Sequence, residues 1–300
     1  METKIVDIRS IGELHRFYGY EKPKHPLVSV IDLSKTRKQG VPENTVYRLG
    51  FYSIYFKETK GALQYGRAHY DFEEGTLLFT APFQVVAANT DTAPGKGMGL
   101  FFHPDLLSRS NLGRNINDYS FFNYDSAEAL HISEKEKEIL EHCLRNIEKE
   151  YAQHIDKHTQ KLIVSNIELL LNYCDRFYDR QFFTRERVNR DIIQQFEQLL
   201  NEYFSGDALI ETGLPDVKYF SNRLNLSPYY LSDVLKKITG KTTQDYIHLK
   251  IAEKAKLFLW NTDKPISVIA YDLGFEHPSH FTKLFKKQVG MPPKQFRNLN

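Results

Sequence analysis

The 300-residue sequence predicts an α+β protein in two parts, a β-rich N-terminal domain carrying helices at its end and an all-helical C-terminal domain. Three observations predict it. The length exceeds what one ordinary core fills and suits two domains. Short segments rich in β-branched and aromatic residues give way to helical periodicity at Ser133. Residues 215–246 and 265–296 then repeat one another.

Residues 1–128 read as mostly β. Leu27–Ile31, Val46–Phe56, His69–Phe72, Thr76–Thr80 and Gly99–Phe102 have strand composition, and Lys60-Gly61, Glu73-Glu74-Gly75 and Asn89-Thr90-Asp91 punctuate them as turns. The spacing suits a sandwich or barrel. Gly95-Lys96-Gly97-Met98-Gly99 is followed by Leu100-Phe101-Phe102, not by a helix start, so it reads as a hairpin loop and not a phosphate cradle.

Residues 129–182 form a helical segment. Ser133 and Glu136 have capping-box spacing, and Leu140, Leu144, Ile147 and Tyr151 follow in steps of four and three. A second helix carries Ile163, Ile167, Leu170, Cys174 and Phe177, an a/d stripe able to pack on a partner helix or on its own domain. A homodimer through this stripe is one expectation. Cys143 and Cys174 lie in apolar-periodic segments without metal-ligand spacing, and read as buried small hydrophobes.

Residues 185–300 hold 17 Lys+Arg against 13 Asp+Glu, whereas the rest of the chain holds 23 against 25. The duplication lies in this basic part. Val217, Phe220, Ser221, Leu224 and Leu226 match Ile266, Ile269, Ala270, Leu273 and Phe275 at an offset of 49. After the turn, Pro228, Leu231, Val234, Leu235, Lys236, Lys237, Gly240 and Tyr246 match Pro278, Phe281, Leu284, Phe285, Lys286, Lys287, Gly290 and Phe296 at an offset of 50. Each copy (215–240 and 265–290) reads as a helix, a tight turn, and a second helix that opens at Pro and closes at Gly. Burying Leu231, Val234 and Leu235 turns Tyr229, Ser232, Asp233 and Lys236 outward; the same register turns out Ser279, Thr282, Lys283 and Lys286. Small polar, aromatic and basic side chains on one helix face suit a DNA major groove. A plain helical bundle is the alternative; the duplication and the basic second helices argue against it.

Ile266-Ser267-Val268-Ile269-Ala270-Tyr271-Asp272-Leu273-Gly274-Phe275, then Pro278, Phe281, Leu284-Phe285-Lys286-Lys287, Gly290, Pro293 and Phe296-Arg297, closely resembles the signature of AraC/XylS-family transcription regulators. Ser227-Pro228-Tyr229-Tyr230-Leu231 supplies the first-unit pattern, and the resemblance covers about the last hundred residues. It implies two recognition helices, double-stranded promoter DNA as ligand, and RNA polymerase as a partner in activation or repression. Base contacts carried over by position fall on Tyr229, Ser232, Asp233, Ser279, Thr282 and Lys283. Phosphate contacts fall on Lys236, Lys237, Lys286 and Lys287. Ile251 stands where the family often has Arg, which passes that contact to Lys250 or Lys254. Asp233 stands where a basic or amide residue is common; it repels phosphate but can accept from a cytosine amino group.

The same resemblance implies that residues 1–128 form a cupin-like β-barrel, with the helices of 129–182 used for dimerisation. His25, His69 and His103 lack the clustering of a metal-binding cupin, and no metal or cofactor is expected. A small-molecule effector, its pocket lined by Tyr55, His69 and Phe83, is one reading of the β domain. Others are a constitutive DNA-binding adaptor whose β domain meets a protein, or a barrel enzyme. No Gly-x-Ser-x-Gly, Cys/His pair or paired-carboxylate site supports the last. No apolar run of eighteen residues and no signal-peptide segment is visible, so a cytoplasmic protein without membrane contact is expected.

Overall fold

The computed structural model describes residues 4–36, 45–57, 75–87, 96–206, 209 and 212–299. The chain divides into two compact units, Met1–Arg185 and Glu186–Asn300.

The first unit contains β1 (Lys4–Ile8), α1 (Ile11–Tyr18), β2 (Val28–Asp32), β3 (Thr45–Leu49), β4 (Tyr52–Lys57), β5 (Gly75–Thr80), β6 (Val85–Ala87), β7 (Gly97–Phe102), α2 (Asn111–Asn115), β8 (Leu130–Ile132), α3 (Glu134–Ala152) and α4 (Thr159–Thr184). The strands form two sheets. One is antiparallel with order β2-β7-β4-β5-β8; the other has order β1-β3-β6, with β1 parallel to β3. No closed barrel is found among the described residues, which corrects the cupin-like barrel to a pair of sheets. The chain crosses between sheets at Gly50, between β3 and β4. A Cβ there would lie 2.9 Å from the Arg9 carbonyl oxygen, so only glycine permits the crossing. The glycine run before Leu100 enters β7 itself: Gly97 pairs with Lys57, and Gly99 with Tyr55.

Strand alternation assigns the two faces of the larger sheet. Ile54 and Phe56 of β4 share one face with Phe79, Leu100 and Phe102, all buried. The helices cover that face: the Tyr151 hydroxyl of α3 accepts from the Val30 amide at 3.1 Å, and the Tyr178 ring of α4 lies 6.1 Å from that of Phe79. The opposite face carries Ser53, Tyr55 and Phe101. There Phe101 and Ile31 join Ile8, Ile11, Leu14, Leu49 and Phe51 in a second core.

The edge strand β8 is closed by side chains of α4. Gln181 accepts from the His131 amide at 2.7 Å and donates to the Ala129 carbonyl at 3.1 Å, while Arg180 donates to the His131 carbonyl at 2.6 Å and to Glu136 at 3.0 Å. This docking uses up the a/d stripe. Ile163, Ile167, Leu170, Cys174 and Phe177 are all at most 5% exposed in the single chain, so they pack within their own unit and offer no surface to a second copy. The exposed apolar side chains of α4 are Leu162 and Leu169, at 44% and 45%, with Phe183 near its end. Burial pushes the Cys174 thiol well above its ordinary range, which suits an inert core residue.

The second unit is helical among its described residues: α5 (Glu186–Ser205), α6 (Val217–Arg223), α7 (Pro228–Thr239), α8 (Thr243–Asn261), α9 (Ile266–Asp272), α10 (Pro278–Val289) and α11 (Pro293–Arg297). One core joins Phe196 and Leu200 of α5, Phe220, Leu231 and Leu235 of the first copy, Ile247, Ile251 and Ala255 of α8, and Ile269, Phe281 and Phe285 of the second. Burial of Ile251 at 2% exposure explains its apolar identity. Among the described residues no helix is long and apolar enough to cross a membrane, and no cluster of His, Cys, Asp and Glu could hold a metal ion.

Candidate nucleic-acid interface

The repeat is carried into the backbone with the same helix lengths and one extra residue in the second turn. α6 and α9 are seven residues each, and α7 and α10 are twelve each. Both twelve-residue helices start at Pro, which gives up no hydrogen bond in a first turn. Both stop at a left-handed glycine, Gly240 at φ 78° and Gly290 at φ 86°, whose amides donate to Lys236 and Lys286. The turn inside each copy also matches. Leu226 donates to Ser221 at 2.9 Å and Phe275 to Ala270 at 3.0 Å, and the residue before each, Asn225 or Gly274, has positive φ. Ser221 and Ala270 are fully buried, as small residues at a close helix crossing should be.

The inward positions of α7 hold as expected: Leu231, Val234 and Leu235 are completely buried. Tyr229 is 51% exposed, and Lys236 and Lys237 are exposed beyond it. Ser232 is different. It is half-buried, and its hydroxyl donates to Thr243 Oγ1 at 3.1 Å, tying α7 to the start of α8. That bond competes with a base contact. Asp233 is half-buried on the same side of the helix.

On α10, Ser279, Lys283, Lys286 and Lys287 are exposed while Phe281 and Phe285 are completely buried. Thr282 is half-buried and spends its hydroxyl on the Pro278 carbonyl at 3.0 Å, one helical turn back. His280 is exposed between Ser279 and Lys283, with its ring 5.4 Å from that of His277 in edge-to-face contact. Position-by-position transfer from the resemblance passes over His280. Its three-residue spacing from Lys283, which places both on one face, is the signal that finds it.

Two lysines assigned to phosphate have partners within the fold. The Lys254 ammonium donates to the Phe204 carbonyl at 2.6 Å, where the last carbonyls of α5 lack helical partners. Lys250 is half-buried and paired with Glu253 at 3.1 Å. Lys287 is exposed but close enough to the first turn of α8 to help hold the Asp245 carboxyl below its ordinary range. Hydrogen bonds from the Thr242 side chain and amide are the larger causes there. His248 one turn on is pushed down by burial first and by Lys287 second.

Of the suggested effector residues, Tyr55 faces the second core of the first unit and Phe83 does not. Phe83 is 63% exposed, with its backbone at φ 64° in the turn between β5 and β6, so it is removed from any interior pocket. His69 lies outside the described residues. His25 and His103 each accept a nearby backbone amide, from Leu27 and Asp105, and so act as local turn caps.

A sequence family described as "Helix-turn-helix domain" matches residues 220–299, which takes in the second copy and most of the first. The chain is similar to an uncharacterized HTH-type transcriptional regulator, YobQ of Bacillus subtilis, at 34% identity over 34% of this chain and 44% of that protein. It thus spans less than half of that relative's length. An uncharacterized HTH-type transcriptional regulator of Escherichia coli, YijO, matches at 21% identity over 83% of this chain and 89% of its own. Among solved structures, the C-terminal domain of the two-component response regulator yesN from Fusobacterium nucleatum matches at 33% identity. It covers 36% of this chain and 98% of that domain, with a TM-score of 0.31. The family match and the duplicated helical pairs identify residues 220–299 as a helix-turn-helix domain of the AraC type.

Proposed function

We propose that the chain reads two successive major grooves on one face of promoter DNA, α7 in one and α10 in the next, about 34 Å apart. The observation that carries this is the equal helix length of the two copies and the proline start and left-handed glycine stop that their second helices share, which supports two alike readers in one unit. Ser279, His280 and Lys283 meet base edges in the second groove; Tyr229 and Asp233 do so in the first. Lys236, Lys237 and Lys286 meet flanking phosphates, and Lys287 does so with part of its charge answered by Asp245. Ser232 and Thr282 hold the helices in place.

The first unit is the effector-responsive part, and RNA polymerase is the partner at the promoter. The protein acts by binding, with no catalytic step and no cofactor. Two chains pair through the outer face of α4 around Leu162 and Leu169, since the inner stripe is spent on the fold. The test is selection of binding sites by the full chain from a randomised DNA pool. Two short conserved blocks one helical turn apart are expected for each bound chain. A single block, or none, overturns the two-groove reading.

A further inference from the structure

Two helix faces in the second unit line up without closing on one another. Phe196 of α5 lies edge-on to Tyr246 of α8 at 5.6 Å, and the Phe204 carbonyl accepts from Lys254 at 2.6 Å, so the two helices run side by side in the same direction. Glu197, Leu200 and Asn201 stand at i, i+3 and i+4 on α5, one face of the helix. Tyr246, Leu249, Lys250 and Glu253 continue the same steps on α8. Apolar residues at all these positions would close the seam. Charged and amide side chains hold several of them, and a cavity of about 290 Å³, open to solvent, remains between the faces. Its apolar floor is Leu200, at 1% exposure, with the half-buried Tyr246 and Leu249.

The charges around that floor are unequally answered. Lys250 and Glu253 pair with each other at 3.1 Å. Glu197 and Lys241 also line the cavity and are exposed, and neither has an ion-pair partner among the described residues. The backbone of Lys241 is fixed just after the left-handed Gly240, where its amide donates to the Thr239 hydroxyl at 3.3 Å. The two unanswered charges lie at different levels of the groove. Glu197 follows Phe196, which meets Tyr246 a turn inside α8, whereas Lys241 precedes α8 altogether. We propose that this cavity binds a dipeptide-sized zwitterion, its ammonium on Glu197, its carboxylate on Lys241 and its apolar part on Leu200, Tyr246 and Leu249. The Asn201 side chain, which offers both a donor and an acceptor, suits the peptide group between the two ends.

One anion and one cation in the lining set the class. A ligand of a single charge would answer one of them and bring a like charge toward the other. A wholly apolar ligand would strip water from both and return nothing. The volume stands at the small end of ligand sites, which limits the occupant to a few heavy-atom groups. A free α-amino acid carries both charges on one carbon and does not reach from the level of Lys241 to that of Glu197. A dipeptide separates them by a peptide group and keeps an apolar side chain for the floor. The site adds a ligand to the unit that holds both reading helices and does not depend on the two-groove reading. Its place there is close to the first reader, since Thr243, in the first turn of α8, accepts from Ser232 of α7.

The experiment uses the full chain with Glu197→Gln and Lys241→Gln, both at exposed positions where little change in Tm is expected. Titration calorimetry and thermal shifts are read with a panel of dipeptides built from glycine, alanine, leucine and phenylalanine, and with free leucine. The tightest binder is then tested as its N-acetyl form, which lacks the ammonium, and as its C-terminal amide, which lacks the carboxylate. At least one dipeptide should bind wild type and raise its Tm. Each blocked form, and the intact dipeptide on each variant, should bind roughly tenfold more weakly, the worth of one charged hydrogen bond. The N-acetyl form should bind Glu197→Gln no worse than wild type, and the amide should do the same with Lys241→Gln, because the partner is already lost. Blocked forms that bind as tightly as the intact dipeptide overturn the ligand class, as does free leucine binding equally well. Binding that neither variant changes overturns the site. No binding of any dipeptide overturns the proposal and leaves the two-groove reading to its own test.

Discussion

The two copies in the second unit share every helix length yet differ in how each helix is started. In the first copy and the helix after it, a side chain caps all three starts. Asp216 accepts from Tyr219, Ser227 from Tyr230, and Thr242 forms a capping box with Asp245. At the equivalent starts of the second, Pro265, His277 and Pro292 make no side-chain cap. The first copy is therefore specified locally, helix by helix. The second is held by packing: Phe281 lies 5.5 Å from Phe275 and 5.7 Å from Phe285, and Phe285 lies 5.5 Å from Phe296, which stacks on Trp260 at 5.0 Å. The reading faces differ in step. Tyr230 is buried where His280 is exposed, and Asp233 stands where Lys283 does. The second copy gives up local encoding and presents the more basic, more open surface.

The largest test of this contrast is in the core. Phe285→Ala and Leu235→Ala remove equivalent, fully buried side chains. Phe285→Ala should cost about 3–5 kcal/mol and Leu235→Ala about 2–5 kcal/mol in denaturant unfolding of the full chain. If the second copy depends on its aromatic stack, Phe285→Ala is the larger and also strips the protein of specific DNA binding. Equal losses would mean that both copies lean on packing alike.

That contrast also explains what was legible in the sequence. The repeat was visible because a helical pair needs buried residues at fixed steps, a proline or cap to open and a glycine to close. Those needs fix residue types at Leu231, Phe281, Gly240 and Gly290. Burial of Ile163 through Phe177 was visible too, but not what they bury against, since an a/d stripe looks the same facing its own sheet or another chain. The pair of sheets was not legible, because one strand cannot declare its neighbour; the parallel match of β1 with β3 joins residues about forty apart. For Ser232, Thr282 and Lys254 the sequence shows the chemistry of the tip but not its partner in the fold. Each has a polar tip suited to DNA, and only the fold shows that the tip bonds Thr243, Pro278 or Phe204 in the free chain.

On DNA the copies should fail differently. Lys283→Ala should cost on the order of 1–3 kcal/mol at the matched base pair and alter sequence preference. Asp233→Asn should tighten binding to non-specific DNA and shift preference at the base pair that Asp233 meets. Lys286→Ala should flatten the salt dependence by roughly 0.9 in logarithmic slope. Lys287→Ala should flatten it less, because Asp245 already answers part of that charge. Identical preference profiles for Lys283→Ala and Lys287→Ala on a randomised pool would show that α10 lies in another register.

Caps come next in size. Ser227→Ala should lower stability by about 1 kcal/mol, the usual loss for such a residue. His277→Ser should raise it by a comparable amount, since His277 already has the extended backbone of an N-cap but no side-chain bond. No gain from His277→Ser would mean that the first turn of α10 is satisfied in another way, and the contrast in local encoding would shrink.

The smallest effect belongs to the Thr242 and Asp245 box, which starts the helix joining the copies. The Asp245 carboxylate accepts from the Thr242 hydroxyl at 2.7 Å and from its amide at 3.0 Å, and these bonds, with His248 and Lys287 nearby, hold its pKa below the ordinary 3.8. A carboxyl depressed in the folded state binds its proton more readily when unfolded. Its contribution is therefore complete above the unfolded pKa and is lost as pH falls through the folded one. Asp245→Asn removes the charge while keeping an acceptor of the same shape. Unfolding curves of wild type and Asp245→Asn should thus differ at neutral pH, with wild type more stable, and converge as the solution is acidified below the ordinary carboxylate range. Asp245 is only half-buried, so added salt should narrow the neutral-pH difference. A gap that persists unchanged in strong acid would assign the effect to shape, and the box would then stabilise α8 without its charge.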